Sequence, residues 1–328
     1  MNTSKIVILL FLVASFSACK ENNQTKYLPD STGAINGLAV VMDSQLWQGE
    51  VGDKVREHFA SSAVGLNMAE PLFTINYMPE SVFSGAIQKS RAVLFVSKDS
   101  VSKAGIKKDF YSRPQNVAII TGSTIQEIKA NIDAKAGEII KAFKNLEIKE
   151  AQKRFKISLN KEQVLKEKFG VSLDIPSVYK IGRQADNFVW YSRQVPKGEM
   201  SIIAYTMPED YFINDSTFVQ DILRMRDSIG SVNIPGEDIP GKKNHMVSEK
   251  IFAPHIYPTE IAGIKAAEVR GLWEMSDYPM GGPYLMYIIN DKERNRKLVL
   301  EGFIFAPATQ KRDNMFELEA IMKTLKFY

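Results

Sequence analysis

The sequence predicts a two-part protein of α/β to α+β class: an N-terminal α/β sheet domain over residues 35–160, then an α+β domain with a mainly antiparallel sheet over 161–328. Short apolar runs rich in β-branched residues alternate with helical spacing up to residue 122, the grammar of strands joined by helices. From Val171 short strands dominate, and the order of three strands then a helix occurs twice, at 178–229 and 264–325. A length of 328 with 45% hydrophobic and 24% charged residues supplies two such cores.

Each element has a local reason. Leu38–Met42, Leu72–Met78, Arg91–Lys98 and Asn116–Thr121 are continuous apolar runs, suited to strands covered on both faces. Between them Gly49–Phe59 and Ser81–Lys89 carry helical spacing, and Arg91 reads as a pairing or edge residue. Ser123 with Gln126 reads as a capping box opening a helix that runs to about Phe155. Its apolar stripe is Ile125, Ile128, Ile132, Ala136, Ile139, Phe143 and Leu146; Lys129, Lys135, Lys141, Lys144 and Lys149 read as its solvated face. A helix over Lys161–Phe169 stops at Gly170. Strands at Val178–Gly182, Asn187–Val195 and Met200–Thr206 precede a helix at Ser216–Ile229. Residues 230–262, with four prolines, read as a long irregular connection. Strands at Ile264–Met275, Pro283–Asn290 and Lys297–Ala306 follow, the last two forming a hairpin, and a stripe of Met315, Leu318, Met322 and Leu325 closes the chain.

The N-terminus reads as an address. Lys5 precedes eleven mostly apolar residues, Ile6–Phe16, too few for a spanning helix and matched to a signal h-region. Phe16-Ser17-Ala18-Cys19 resembles a bacterial lipobox, with Phe16 where leucine is usual, and Cys19 is the chain's single cysteine. The resemblance implies cleavage after residue 18 and acyl chains, palmitate among them, on Cys19. Several chains at about 0.8 kcal/mol per methylene form a stable anchor. Residues 19–34 then form a polar tether of roughly 20 Å reach. The expected location is the cell envelope, held to the outer membrane on its periplasmic or outer face.

Composition narrows the chemistry. Forty-two basic against 38 acidic residues, with no basic block, leaves no nucleic-acid footprint. One cysteine excludes an internal disulfide, and His58, His245 and His255 are scattered, so neither metal nor cofactor is expected. On the strand Ile264–Met275, alternation puts Ala267, Val269, Gly271, Trp273 and Met275 toward a core; Glu268, Arg270, Leu272 and Glu274 face the other way. Arg270 and Glu274, joined by Glu301 of the hairpin, are candidate ligand-binding residues or a surface ion-pair ladder. Asp43 and Trp47, where the first strand meets its helix, are further candidates. Asp43 reads alternatively as a cap and Trp47 as a core anchor.

Several of these motifs occur together. Val40-Val41-Met42-Asp43 before Leu46-Trp47-Gln48-Gly49-Glu50-Val51-Gly52 resembles an uncharacterised Bacteroidetes lipoprotein family, domain of unknown function 4837. So do Glu70-Pro71-Leu72-Phe73, Arg270-Gly271-Leu272-Trp273-Glu274-Met275 with Met280-Gly281-Gly282-Pro283, and Glu301-Gly302-Phe303 before Lys311-Arg312. The resemblance spans about residues 35–326 and implies no activity. The second half is also similar to PsbP/Mog1-type α/β/α modules, a class of binding modules. The expected function is non-enzymatic ligand or protein binding in the envelope, with an envelope protein as possible partner. The rivals are an envelope hydrolase using Glu274 and Glu301, and a structural subunit of an assembly.

Overall fold

The computed structural model describes residues 27–212 and 214–328. Cys19, the signal segment and residues 19–26 of the tether lie outside the described residues. The class is as expected, an α/β sheet followed by a mainly antiparallel one. Among the described residues no helix is long and apolar enough to cross a membrane.

The first sheet holds β1 (Gly37–Met42), β2 (Thr74–Met78), β3 (Ala92–Lys98), β4 (Lys103–Lys108) and β5 (Asn116–Gly122), in the order β2-β1-β3-β5-β4. Its first four strands in that order are parallel, and β4 runs antiparallel along β5. Sequence periodicity misses β4 because Lys103, Lys107 and Lys108 make it polar, as an exposed edge requires. One face is covered by α1 (Ser44–Gln48), α2 (Glu50–Phe59) and α3 (Ile125–Phe155). There Val51, Val55, Phe59, Ile128, Ile132 and Phe143 pack on Val40, Leu94 and Ile120. The N-cap of α3 is Thr124, one residue later than the box expected at Ser123. Its hydroxyl accepts from Glu127 N at 3.2 Å, and Glu127 returns a carboxylate to Ser123 N at 2.8 Å. Ile125 is exposed and Leu146 half-buried, while Glu147 joins the buried stripe.

Among the described residues the other face carries no α-helix. The helix expected over Ser81–Lys89 is replaced by 3₁₀ turns at Glu80–Val82 and Ile87–Lys89, separated at Gly85, whose φ of +59° no helix accommodates. That break drops Phe83 onto Phe95 and Tyr111, so the cover is aromatic and partial. Arg91 is a buried ion partner, with Nε 3.0 Å and Nη2 3.1 Å from the Glu147 carboxylate.

Residues 156–170 include α4 (Val164–Phe169), shorter than expected and ended by left-handed Gly170. Two residues, β6 (Val171–Ser172), pair with β15 (Lys326–Phe327). The large sheet comprises β7 (Lys180–Ala185), β8 (Phe188–Val195), β9 (Gly198–Pro208), β10 (Met246–Ser248), β11 (His255–Ile261), β12 (Ile264–Met275), β13 (Gly281–Asp291) and β14 (Arg296–Phe305). Its order is β10-β12-β13-β14-β9-β8-β7, with β11 also on β12. Thus residues 230–262 are not one irregular connection. They hold β10 and β11, and β11 turns into β12 through Ala262 and Gly263, both at positive φ. Pro254 and Pro258 hide this strand in the sequence; Pro258 is tolerated because β11 is an edge.

Helix α5 (Phe218–Asn233) packs on one face through Ile222 and Met225, and α6 (Arg312–Met322) on the other through Leu318, Ile321 and Met322. A two-fold exchanging the central strands β9 and β14 would leave both helices on one face. The two strand-strand-strand-helix halves therefore repeat in order without rotational symmetry.

Candidate functional site

The alternation of β12 is as expected: Val269 and Trp273 join the core under α5, while Arg270 faces α6. Against that face pack the segment after α2 and the middle of α3, and between them lies a cavity of about 260 Å³. Its walls are apolar, with Leu66, Leu72, Met315 and Phe316. Three cations reach it, Lys144, Arg270 and Arg312, against the single lining carboxylate of Glu319.

Arg270 donates from Nη2 to Glu319 Oε2 at 2.8 Å and from Nε to Glu268 Oε1 at 2.6 Å. Burial works against the Glu319 carboxylate, but Arg270 and Lys323 overcome it and hold the group down at about 2. Arg312 is fixed by Pro71 O at 2.8 Å and by the Asp313 carboxylate. Lys144 corrects the expected solvated face: it sits half-buried over Phe73 at 4.4 Å and Phe316 at 5.2 Å. It donates to Asn36 Oδ1 and Leu72 O, each at 2.7 Å, leaving one N–H of its three. Burial, then the charge of Arg312, push its amine down to about 8. Helical spacing alone assigns Lys144 to the outer face; the signal that it turns inward is tertiary, the segment at 63–72 folding over α3.

Of the other expected site residues, Glu274 is exposed at the far end of β12, beside Tyr278 and Gly281. Glu301 does not join Arg270. It lies on the opposite face of the sheet, because register pairs it with Met286 and so with the Val269 row. There it is fully buried and accepts from Arg226 Nε at 3.0 Å and Nη2 at 2.8 Å. Burial pushes its carboxyl up and Arg226 pulls it back. The Arg226 guanidinium lies 4.1 Å from the Tyr284 ring. Glu274 and Glu301, on opposite faces, share no substrate space.

Asp43 caps α1, accepting from Gln45 N at 2.8 Å, and also lines a second cavity of about 820 Å³ at the carboxyl ends of the parallel strands. Trp47 stacks on Tyr77 at 4.6 Å with Arg56 4.4 Å over its ring, a half-buried anchor outside that cavity's lining. Glu57, His58 and Asp133 gather their donor atoms within 4.8 Å. Lys54 already bridges Glu57 at 2.8 Å and Asp133 at 3.3 Å, so a cation fills that cluster.

Nothing among curated proteins matches this chain. Solved structures similar to it include the Saccharomyces cerevisiae Ran-binding protein Mog1p, at 10% identity and a TM-score of 0.28 over 48% of this chain and 90% of that one. A point mutant of protein Mog1 gives 0.27 at the same identity and coverage. Scores this low say nothing of shared binding. A family model described as a domain of unknown function, DUF8532, matches residues 31–156, so the motifs around Trp47 and Glu70 fall in it rather than in the family expected to span the whole. Residues 158–324, half of the protein and including the motifs on β12, β13 and β14, match the model described as domain of unknown function DUF4837, and the chain belongs to that family.

Proposed function

We propose that the protein is a non-enzymatic binding module, tethered to a bacterial envelope membrane by lipid on Cys19, that takes a small anionic ligand with a short apolar body. One observation carries the binding reading: three cations converge on an apolar cavity whose lining has a single carboxylate, already neutralised by Arg270. A buried, incompletely satisfied amine gains most from an anion in such a place. Among the described residues the lining holds no serine, cysteine or histidine, and its one amine, Lys144, is held by Asn36 Oδ1 and Leu72 O, which favours binding over turnover. The lipid reading rests on the sole cysteine closing an apolar run.

The probe is phenyl phosphate or benzoate, titrated calorimetrically against neutral benzyl alcohol. Either anion binds, the alcohol does not, and Lys144→Met weakens the anion at least tenfold. Equal binding of the alcohol overturns the reading. For the anchor, the intact mass of native protein carries acyl chains that Cys19→Ala lacks, and an unmodified native mass rules the anchor out. A second reading, docking to an envelope protein, is favoured by exposed Ile251 and Phe252, whose backbone N–H groups Glu249 fixes.

A further inference from the structure

The helix-free face of the first sheet carries a second site. Register lays side chains across it in rows. Met78, Val41, Phe95 and Ile119 form one apolar row from β2 to β5, and it ends at Gly105 on β4, where a side chain would meet nothing within 4 Å. The cavity of about 820 Å³ lies over the middle of this row, Val41, Phe95 and Ile119, with Gly105 beside Ile119 just past its edge; it is partly roofed by Phe110 and Tyr111 and has the size of a small-molecule or short-peptide site.

Its position follows from topology. The chain leaves β1 toward β2 on one side, while β3 and β5 lie on the other, so the loops after β1 and β3 diverge. Such a switch point, at the carboxyl ends of parallel strands, is where open sheets form ligand crevices. Here the lining comes from the ends of β1, β3 and β5 and the residues after β2.

Charge is polarised along the same direction. Asp43 and Glu80 line the cavity near β1 and β2; Lys98 and Lys103 line it near β3 and β4. Asp43 spends one oxygen on Gln45 N, and none of the four has an ion-pair partner among the described residues. Asp99 also lines the cavity between Lys98 and Lys103; its carboxylate is turned into its own loop, accepting from Val101 N at 3.1 Å, and leaves that end with a net single positive charge. From β1 to β4 is three strand spacings, roughly 14 Å, the length of about four extended residues.

We propose that this cleft binds a short apolar peptide of about four residues, its free amine toward Asp43 and Glu80 and its carboxylate toward Lys98 and Lys103. An apolar middle with opposite charges at its two ends complements the row and both rims at once. The reading is independent of the anion cavity, which lies on the other side of this sheet's helices.

The test titrates full-length protein with the tetrapeptide Ala-Val-Phe-Ala. The free peptide binds, and acetylating its amine or amidating its carboxylate each weakens binding about tenfold. Gly105→Trp, which fills open space, abolishes binding while circular dichroism stays native. Lys103→Glu weakens the free peptide and spares the amidated one. Lys144→Met leaves peptide affinity unchanged, so failure here is distinct from failure of the anion site. No binding at millimolar peptide, equal affinity for the doubly blocked peptide, or unaltered binding by Gly105→Trp overturns the proposal.

Discussion

At the residue scale the molecule buries full charges and holds them in pairs. Arg226 and Glu301 sit between α5 and the large sheet, and removing one partner strands the other without water. Glu301→Ala is expected to cost about 3–5 kcal/mol in urea unfolding, whereas Arg226→Met with Glu301→Leu restores most of it. An equal loss in the double variant would show that the pair is more than an electrostatic plug. Lys144 and Glu319 give pH signatures of opposite sense. Lys144 titrates near 8 and an anion favours its charged form, so phenyl phosphate affinity falls as pH rises through 8, and Lys144→Met flattens that fall. Glu319, held at about 2 against an ordinary 4.5, contributes stability that is complete above 4.5 and lost as pH falls toward 2. Glu319→Gln should be about 1–3 kcal/mol less stable at neutral pH and show no added loss in that acid window.

At the element scale, close backbone approach explains the most recognisable motifs. A Cβ on Gly52 would lie 1.8 Å from Trp47 O, so α2 can start beneath α1 only with glycine there. A Cβ on Gly282 would lie 2.1 Å from Ile304 O, where β13 crosses the end of β14. Gly52→Ala should therefore destabilise by about 1–3 kcal/mol, read as a lowered melting temperature. These motifs make the family legible in the sequence while pointing to packing. Strands that are apolar on both faces, such as β1, β3 and β5, and the helix α3, whose apolar period serves one core, were legible because local pattern and packing agree. Polar β4, proline-bearing β11 and the broken turns around Phe83 were not, because edge pairing and a glycine break override local pattern. The anion site was half legible: alternation exposes Arg270. Lys144 and Arg312 come from elements more than 120 residues away on one side and about 40 on the other, a distance no spacing rule spans.

At the scale of the whole molecule, one carboxylate joins the two sheets. Glu70, in the segment after α2, is buried and accepts from Lys311 N at 2.7 Å and Arg312 N at 2.9 Å, capping α6 across 240 residues of chain. Negative charge at a helix N-terminus is favourable, and two otherwise orphaned N–H groups are satisfied. Around it Asn36 donates to Asp313 at 2.8 Å and Gln152 to Ala320 O at 3.0 Å, polar contacts gathered on α6 beside an apolar one in which Ile148 and Ala151 of α3 meet Phe316 and Ala320. Among the described residues Glu70 is the only buried carboxylate in this clamp, so its loss is expected to weaken the coupling between the sheets. The native protein is expected to unfold in urea as one transition by both Trp fluorescence and circular dichroism. Glu70→Ala leaves the two amides buried without partners, lowers stability by about 2–4 kcal/mol, and separates the two probes, since two of the three tryptophans, Trp190 and Trp273, report the large sheet while circular dichroism follows both sheets. Glu70→Gln keeps an acceptor and should lie between. Coincident, unshifted transitions in Glu70→Ala would mean that apolar contact of α3 with α6 couples the sheets unaided. The anion cavity, which shares Arg312 with this clamp, would then be structurally independent of it.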